Sequence, residues 1–174
     1  VLAMGGIPIT PKIPGIDKPI VKHPAQMYRT LKKFMRLFNP SILRWLMKVW
    51  MPIGSRVVVL GGGIEGCELT EFLTKQGRKV ILLETSNELG AKLVKETKER
   101  LLMWFAKKGV AILTGVKYEE ITDEGITIIT NDGEKKYIEA DNILPALGLE
   151  PNRELFIALK DKVPEVYLIG DCEE

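Results

Sequence analysis

The chain has 174 residues, 45% of them hydrophobic and 28% charged, with a formal net charge of +2. That length supports one main core with an appendage. No apolar run reaches the roughly 20 residues that span a bilayer, and no secretory signal pattern is present, so a cytoplasmic protein is expected. Two cysteines without CxxC spacing and a single histidine, His23, argue against a structural zinc site, a redox dithiol or a histidine-based triad.

The net charge averages two unlike parts. Between Asp17 and Glu65 there is no acidic residue, and nine lysines and arginines fall there, which leaves residues 65–174 with a net −7. A basic segment is joined to an acidic domain. Val1-Leu2-Ala3-Met4-Gly5-Gly6 reads as the tail of a strand running into glycines. Residues 7–24 hold Pro8, Pro11, Pro14, Pro19 and Pro24, which bar regular helix or central strand and predict an extended linker. From Ala25 to Met51 apolar residues recur at three- and four-residue spacings on either side of Asn39-Pro40-Ser41, which predicts two short amphipathic helices. Their apolar stripe suits packing against protein better than membrane contact. Nothing in it has the form of a nucleic-acid recognition helix.

Arg56-Val57-Val58-Val59-Leu60 is the next element, a β-branched run suited to a sheet covered on both faces. It leads into Gly61-x-Gly63-x-x-Gly66 and then into helically spaced apolar residues as far as Gln76-Gly77. The physics of that order is specific. Gly61 permits a sharp turn, Gly63 lets backbone approach a pyrophosphate, and Gly66 brings the helix close to the strand. The helix N-terminus, opening at Ile64, offers free N–H groups and a positive dipole end to an anion. A second buried strand is predicted over Lys79–Glu84, and Glu84 ends it 18 residues beyond Gly66. An acid there can accept hydrogen bonds from ribose hydroxyls.

A helix is predicted over Ala91–Lys108, with Leu93, Leu101, Leu102, Phe105 and Ala106 on its buried side and Gly109 as its stop. A third buried strand follows at Val110–Leu113. Strands joined by helices make right-handed βαβ units on a parallel sheet. The period then changes to two at Tyr118–Ile121, Ile126–Thr130 and Lys135–Ile138, separated by the turn signals Thr122-Asp123-Glu124-Gly125 and Asn131-Asp132-Gly133. This is an antiparallel meander. Asn142–Leu144 returns to the parallel sheet, and Val166–Ile169 is a last predicted strand before Gly170-Asp171. The fold class is therefore α/β: a Rossmann-like parallel sheet flanked by helices, with a three-stranded β-meander and an N-terminal basic helical extension.

This succession, glycine fingerprint, acidic strand end, meander, Ala146-x-Gly148-x-x-Pro151-Asn152 and Ile169-Gly170-Asp171, resembles the pyridine nucleotide-disulfide oxidoreductase superfamily over essentially the whole chain. Within it, Lys117 to Ile121 with Asp123-Glu124-Gly125, Leu149 to Arg153, and Trp50 to Gly54 are similar to the 2,4-dienoyl-CoA reductase and 2-enoate reductase group. The resemblance implies an NADH-binding domain inserted into an FAD domain, with Val1–Gly5 and Tyr167–Asp171 as the two junctions. It also implies an FMN-bearing barrel and an iron–sulfur cluster elsewhere in the parent chain. The expected division is a junction and linker over 1–24, a basic helical segment over 25–53, the NAD domain over 54–150 and a return junction over 151–174. Carried over by position, Gly61, Gly63, Ile64, Glu65 and Gly66 line the pyrophosphate and Glu68 lies near the nicotinamide end. Glu68 reads equally as a surface acid favoured by the helix dipole. Glu84 takes the ribose with Thr85 beside it, Val116 flanks adenine, Gly148 passes near the nicotinamide half, and Asp171 reaches the FAD ribityl chain. A carboxylate at Glu84 repels a 2′-phosphate, which favours NADH over NADPH. Met4 and Leu147 depart from the family pattern, standing where these motifs usually carry threonine.

Two other readings share parts of this pattern. A SAM-dependent methyltransferase also uses a glycine-rich first turn and an acid closing its second strand, though the meander does not suit it. A non-catalytic nucleotide-binding or adaptor module would rest on the basic helices.

Overall fold

The computed structural model describes residues 1–23, 53–91 and 93–173. In chain order its strands are β1 (Gly6–Pro8), β2 (Arg56–Leu60), β3 (Lys79–Leu83), β4 (Ala111–Leu113), β5 (Lys117–Ile121), β6 (Gly125–Ile129), β7 (Lys135–Glu139), β8 (Asn142–Pro145) and β9 (Leu149–Pro151). Helix α1 (Ile64–Lys75) joins β2 to β3, and α2 (Lys95–Lys108) joins β3 to β4. The helices predicted between Ala25 and Met51 lie outside the described residues.

The centre is a four-stranded parallel sheet in the order β4-β3-β2-β8. Alternation along its strands sorts the core into two layers. Val57, Val59, Val80, Leu82 and Leu144 meet Cys67, Leu73 and Phe105 from the helices. Val58, Leu60, Leu83 and Ile143 meet Ile121, Ile126, Ile128 and Ile138 from the antiparallel meander β5-β6-β7. Each such fully buried side chain contributes on the order of 1.5–3 kcal/mol, and the three valines of β2 serve both layers. The predicted Rossmann-like sheet and meander are therefore the architecture, and both predicted meander turns connect antiparallel neighbours.

Several predicted elements take a different form. The proline-rich segment is not a solvated linker. Ile13, Ile20 and Val21 are buried in the meander-side core, and β1 pairs antiparallel with β9. Val21 also forms a parallel bridge to Ile143, with Ile143 N–H donating to the Ile20 carbonyl and Lys22 N–H to the Ile143 carbonyl. Prolines exclude regular central strand, but they allow this irregular run to cover the free edge of β8.

Helix α2 starts at Lys95 rather than Ala91, because the preceding turn is held elsewhere. Gly90 N–H donates to the Gly62 carbonyl at 2.7 Å, and Leu89 is buried. Ala106 is exposed and Trp104 packs in its place beside Phe105. Strand β4 sits at the sheet edge and is only partly buried. Residues 166–169 form no strand: Leu168 makes one parallel bridge to Leu2, so each junction contributes a single paired residue there.

Candidate functional site

The site is assembled where β2, β3 and β8 end on the same side of the sheet. Gly61 leaves β2 at φ +104°, a backbone region that side-chain-bearing residues rarely enter, and its N–H donates to the Leu83 carbonyl at 2.8 Å. Space is as restrictive as conformation. A Cβ on Gly66 would lie 1.8 Å from the Gly61 carbonyl oxygen, and one on Gly61 would lie 2.5 Å from the Ala146 carbonyl oxygen. Helix α1 therefore closes directly onto the end of β2. Gly63 differs: a Cβ there would meet only the Glu65 carboxylate, at 3.4 Å. Its outer side is open.

No side chain caps α1. Its first-turn N–H groups have no partner within the helix itself. The glycine cradle and uncapped N-terminus suit a phosphate-bearing ligand.

Glu84 follows β3 and turns back toward the glycines. Its carboxylate accepts hydrogen bonds from Gly62 N–H at 2.5 Å, Ser86 N–H at 2.7 Å and the Thr85 hydroxyl at 3.2 Å. Burial works to raise its pKa, but these donors outweigh burial and hold it below the usual carboxylate range. Two carboxylate oxygens offer about four lone-pair sites, so acceptor capacity remains for a ribose hydroxyl.

The loop after Glu84 is fixed as well. Leu89 occupies the space a Gly62 side chain would need, and Lys98 pairs with Glu88 at 2.6 Å. Beyond it, a cleft of about 560 Å³ is lined by Lys12, Ile13, Thr85, Val116, Tyr118 and Leu147, among others.

The residues singled out from sequence fall into distinct positions. Gly61, Gly63, Ile64, Glu65, Gly66 and Glu84 surround the cradle, and Thr85 and Val116 line the adjoining cleft. The Val116 side chain is 2% exposed, so most of it serves the core. Gly148, at φ +84°, lies across from Glu65, whose carboxylate would be 3.8 Å from a Cβ there. Glu68 is exposed further along α1. Asp171 is exposed in a short 3-10 turn that packs against β9, and no hydrogen bond ties it to the cradle among the described residues.

Sequence reasoning missed Gly62, the Leu89-Gly90 loop and Tyr118. The middle one of three consecutive glycines, Gly62, was itself a signal, since the spacing of the fingerprint leaves it unexplained. Cys67, beside the cradle, is pushed up to about 11, by burial and then by the Glu84 charge. It is a packing thiol at neutral pH.

This geometry defines a class: a dinucleotide-type cradle on a Rossmann-like sheet with an attached meander. The chain belongs to the pyridine nucleotide-disulphide oxidoreductase family, whose profile matches residues 1–174. Cofactors of that class are NAD(H) and FAD.

Among curated relatives, an NADH oxidase of Thermoanaerobacter brockii is 29% identical over 99% of this chain and 24% of its own length. A cinnamate reductase of Clostridium sporogenes is 29% identical over 70% of the chain and 19% of its own. Among solved structures, a 2-naphthoyl-CoA reductase complex superposes with a TM-score of 0.78 at 31% identity, covering 98% of this chain and 23% of that one. The chain thus spans about a quarter or less of the length of these relatives. Among the described residues, no helix is long and apolar enough to cross a membrane.

Proposed function

We propose that this chain is the NADH-binding domain of a flavin-dependent oxidoreductase whose whole protein reduces an α,β-unsaturated acid or enoyl-CoA-type thioester. The observation that carries the nucleotide reading is the Glu84 carboxylate anchored on Gly62 N–H beside an uncapped helix. In this reading the first-turn amides of α1 and the backbone around Gly63 hold the pyrophosphate. Glu84, kept ionised by its donors, accepts from the adenosine ribose and repels a 2′-phosphate. Thr85 and Val116 border the adenosine in the cleft, and Gly148 and Glu68 lie toward the nicotinamide.

No side chain of this domain is asked to move a proton. Its residues bind and orient NADH, and the flavin, when bound in the parent protein, supplies the hydride acceptor. Residues 54–150 form the nucleotide domain, with 1–24 and 151–174 as the passages to an FAD domain, where Asp171 meets the ribityl chain. An FMN barrel and an iron–sulfur cluster belong to the same scheme. The substrate class is supported by the cinnamate reductase relative and the 2-naphthoyl-CoA reductase neighbour.

Isothermal titration of the chain with NADH, NADPH and S-adenosylmethionine tests the site. NADH binding tighter than NADPH is the expected result. Binding of S-adenosylmethionine without either dinucleotide would overturn it. For the substrate class, NADH-driven reduction of cinnamate and of an enoyl-CoA by the full-length parent is expected. A parent that reduces only oxygen or disulfides would overturn that part.

A further inference from the structure

We infer that Tyr118 is a positioning residue for dinucleotide selection, acting through Glu84. The inference rests on the nucleotide reading above and extends it to a residue of the meander.

The first observation is a hydrogen bond. The Tyr118 hydroxyl donates to the Leu83 carbonyl at 3.1 Å, and the same carbonyl accepts Gly61 N–H at 2.8 Å. That oxygen belongs to the peptide group leading into Glu84. One carbonyl therefore ties together the glycine turn, the acid and the meander. Around it, Glu84 N–H donates to the Leu113 carbonyl and Val116 N–H to the Glu84 carbonyl, so the backbone of Glu84 sets where its side chain starts toward Gly62.

The second observation is a bulge. Lys117 and Tyr118 pair with Ile129 and Ile128, but the register shifts before Glu120, leaving Glu119 as an extra residue. In a regular strand, Tyr118 and Ile121, three apart, would face opposite sides. The extra residue brings both against the same core cluster. Bulges re-aim side chains in this way. Here the re-aimed ring carries its hydroxyl under the end of β3 and forms part of the cleft wall shared with Thr85 and Val116. Burial, and then the charge of Glu84, keeps the phenol protonated and able to donate.

Removing the hydroxyl while keeping the ring leaves the Leu83 carbonyl held by Gly61 N–H alone and cuts the tie between the meander and the Leu83–Glu84 peptide group. Glu84 keeps its own donors, but the backbone that aims it at Gly62 and the ribose is held less tightly. The consequence is a loss of discrimination rather than a general loss of fold.

The test is a double-mutant cycle by isothermal titration on the chain, Tyr118→Phe, Glu84→Ala and the double variant, each with NADH and NADPH. Tyr118→Phe is expected to weaken NADH about fivefold, the equivalent of one hydrogen bond, with NADPH little changed, and to have no further effect once Glu84 is alanine. Equal weakening of both nucleotides would overturn the inference, as would an unchanged NADH affinity or the same loss in the Glu84→Ala background. An unfolded Tyr118→Phe would overturn it too, by making the hydroxyl a requirement of the fold. Absence of dinucleotide binding by the unsubstituted chain is a separate outcome, in which the site reading fails and this inference with it.

Discussion

The two ends of the parallel sheet are held together by opposite means. At the ends of β2, β3 and β8 that meet the cradle, contacts run through backbone: Gly61 N–H to Leu83, Gly90 N–H to Gly62, Ala146 N–H to Leu60. Side chains are kept out by space, and the Glu84 carboxylate is turned inward onto Gly62 N–H. At the other end, side chains do the joining. Asp141 accepts from Arg56 N–H, from the Arg56 guanidinium at 2.7 and 3.0 Å and from the Ser55 hydroxyl, while Glu139 pairs with Arg56. Asn142, buried, accepts from Gly54 N–H and donates to the Ile20 carbonyl. The contrast teaches a division of labour. The end with an uncapped helix and a poised acid is available for a ligand, whereas at the other end Arg56, Asp141 and Asn142 already have their partners.

The comparison breaks most sharply at Gly66. Gly66→Ala drives a methyl group into the Gly61 carbonyl, and a loss of about 3 kcal/mol or more is expected from so tight an overlap. Denaturant unfolding with a parallel NADH titration should show both stability and binding falling. At Glu84 the two should separate. Glu84→Ala is expected to weaken NADH about tenfold, as for loss of hydrogen bonds to a charged group, with NADPH affected less.

The opposite end predicts the converse. Asp141→Asn should lower Tm while leaving NADH affinity unchanged. The Arg56 hydrogen bonds hold the Asp141 carboxyl well below its usual range, so its contribution is complete above about pH 4 and fades as pH falls through the folded value. Stability measured against pH should therefore lose part of its acid slope in the variant. The smallest effect is expected at Glu65, whose carboxylate stands beside Gly63 at the helix mouth. Glu65→Gln removes a negative charge beside the proposed pyrophosphate position, so NADH should bind a few-fold more tightly, most clearly at low ionic strength.

Much of this division was legible in the chain itself. Three valines before three glycines announced β2 and its turn, and Asn131-Asp132-Gly133 announced a meander hairpin, because local chemistry decides both. Glu84 was legible through its spacing from Gly66. The bulge at Glu119 was not read, although the doubled glutamates put Tyr118 and Ile121 three apart and break the alternation; pairing with β6 is what identifies the extra residue. Nor was the burial of Ile13, Ile20 and Val21. Prolines report what a segment's backbone is denied, and they say nothing about where its side chains find company. The early start predicted for α2 failed for a related reason: Leu89 and Gly90 are claimed by Gly62, across the fold rather than along it.

The run from Ile13 to Lys22 has a practical corollary for anyone wishing to transplant the nucleotide module. A graft begun at Ile53 would carry the whole cradle yet leave β8 with a naked rim and Ile143 stripped of its roofing. Such a truncated cassette should clump through that rim. One that retains the proline-studded strip, even supplied as a separate peptide, should stay monodisperse.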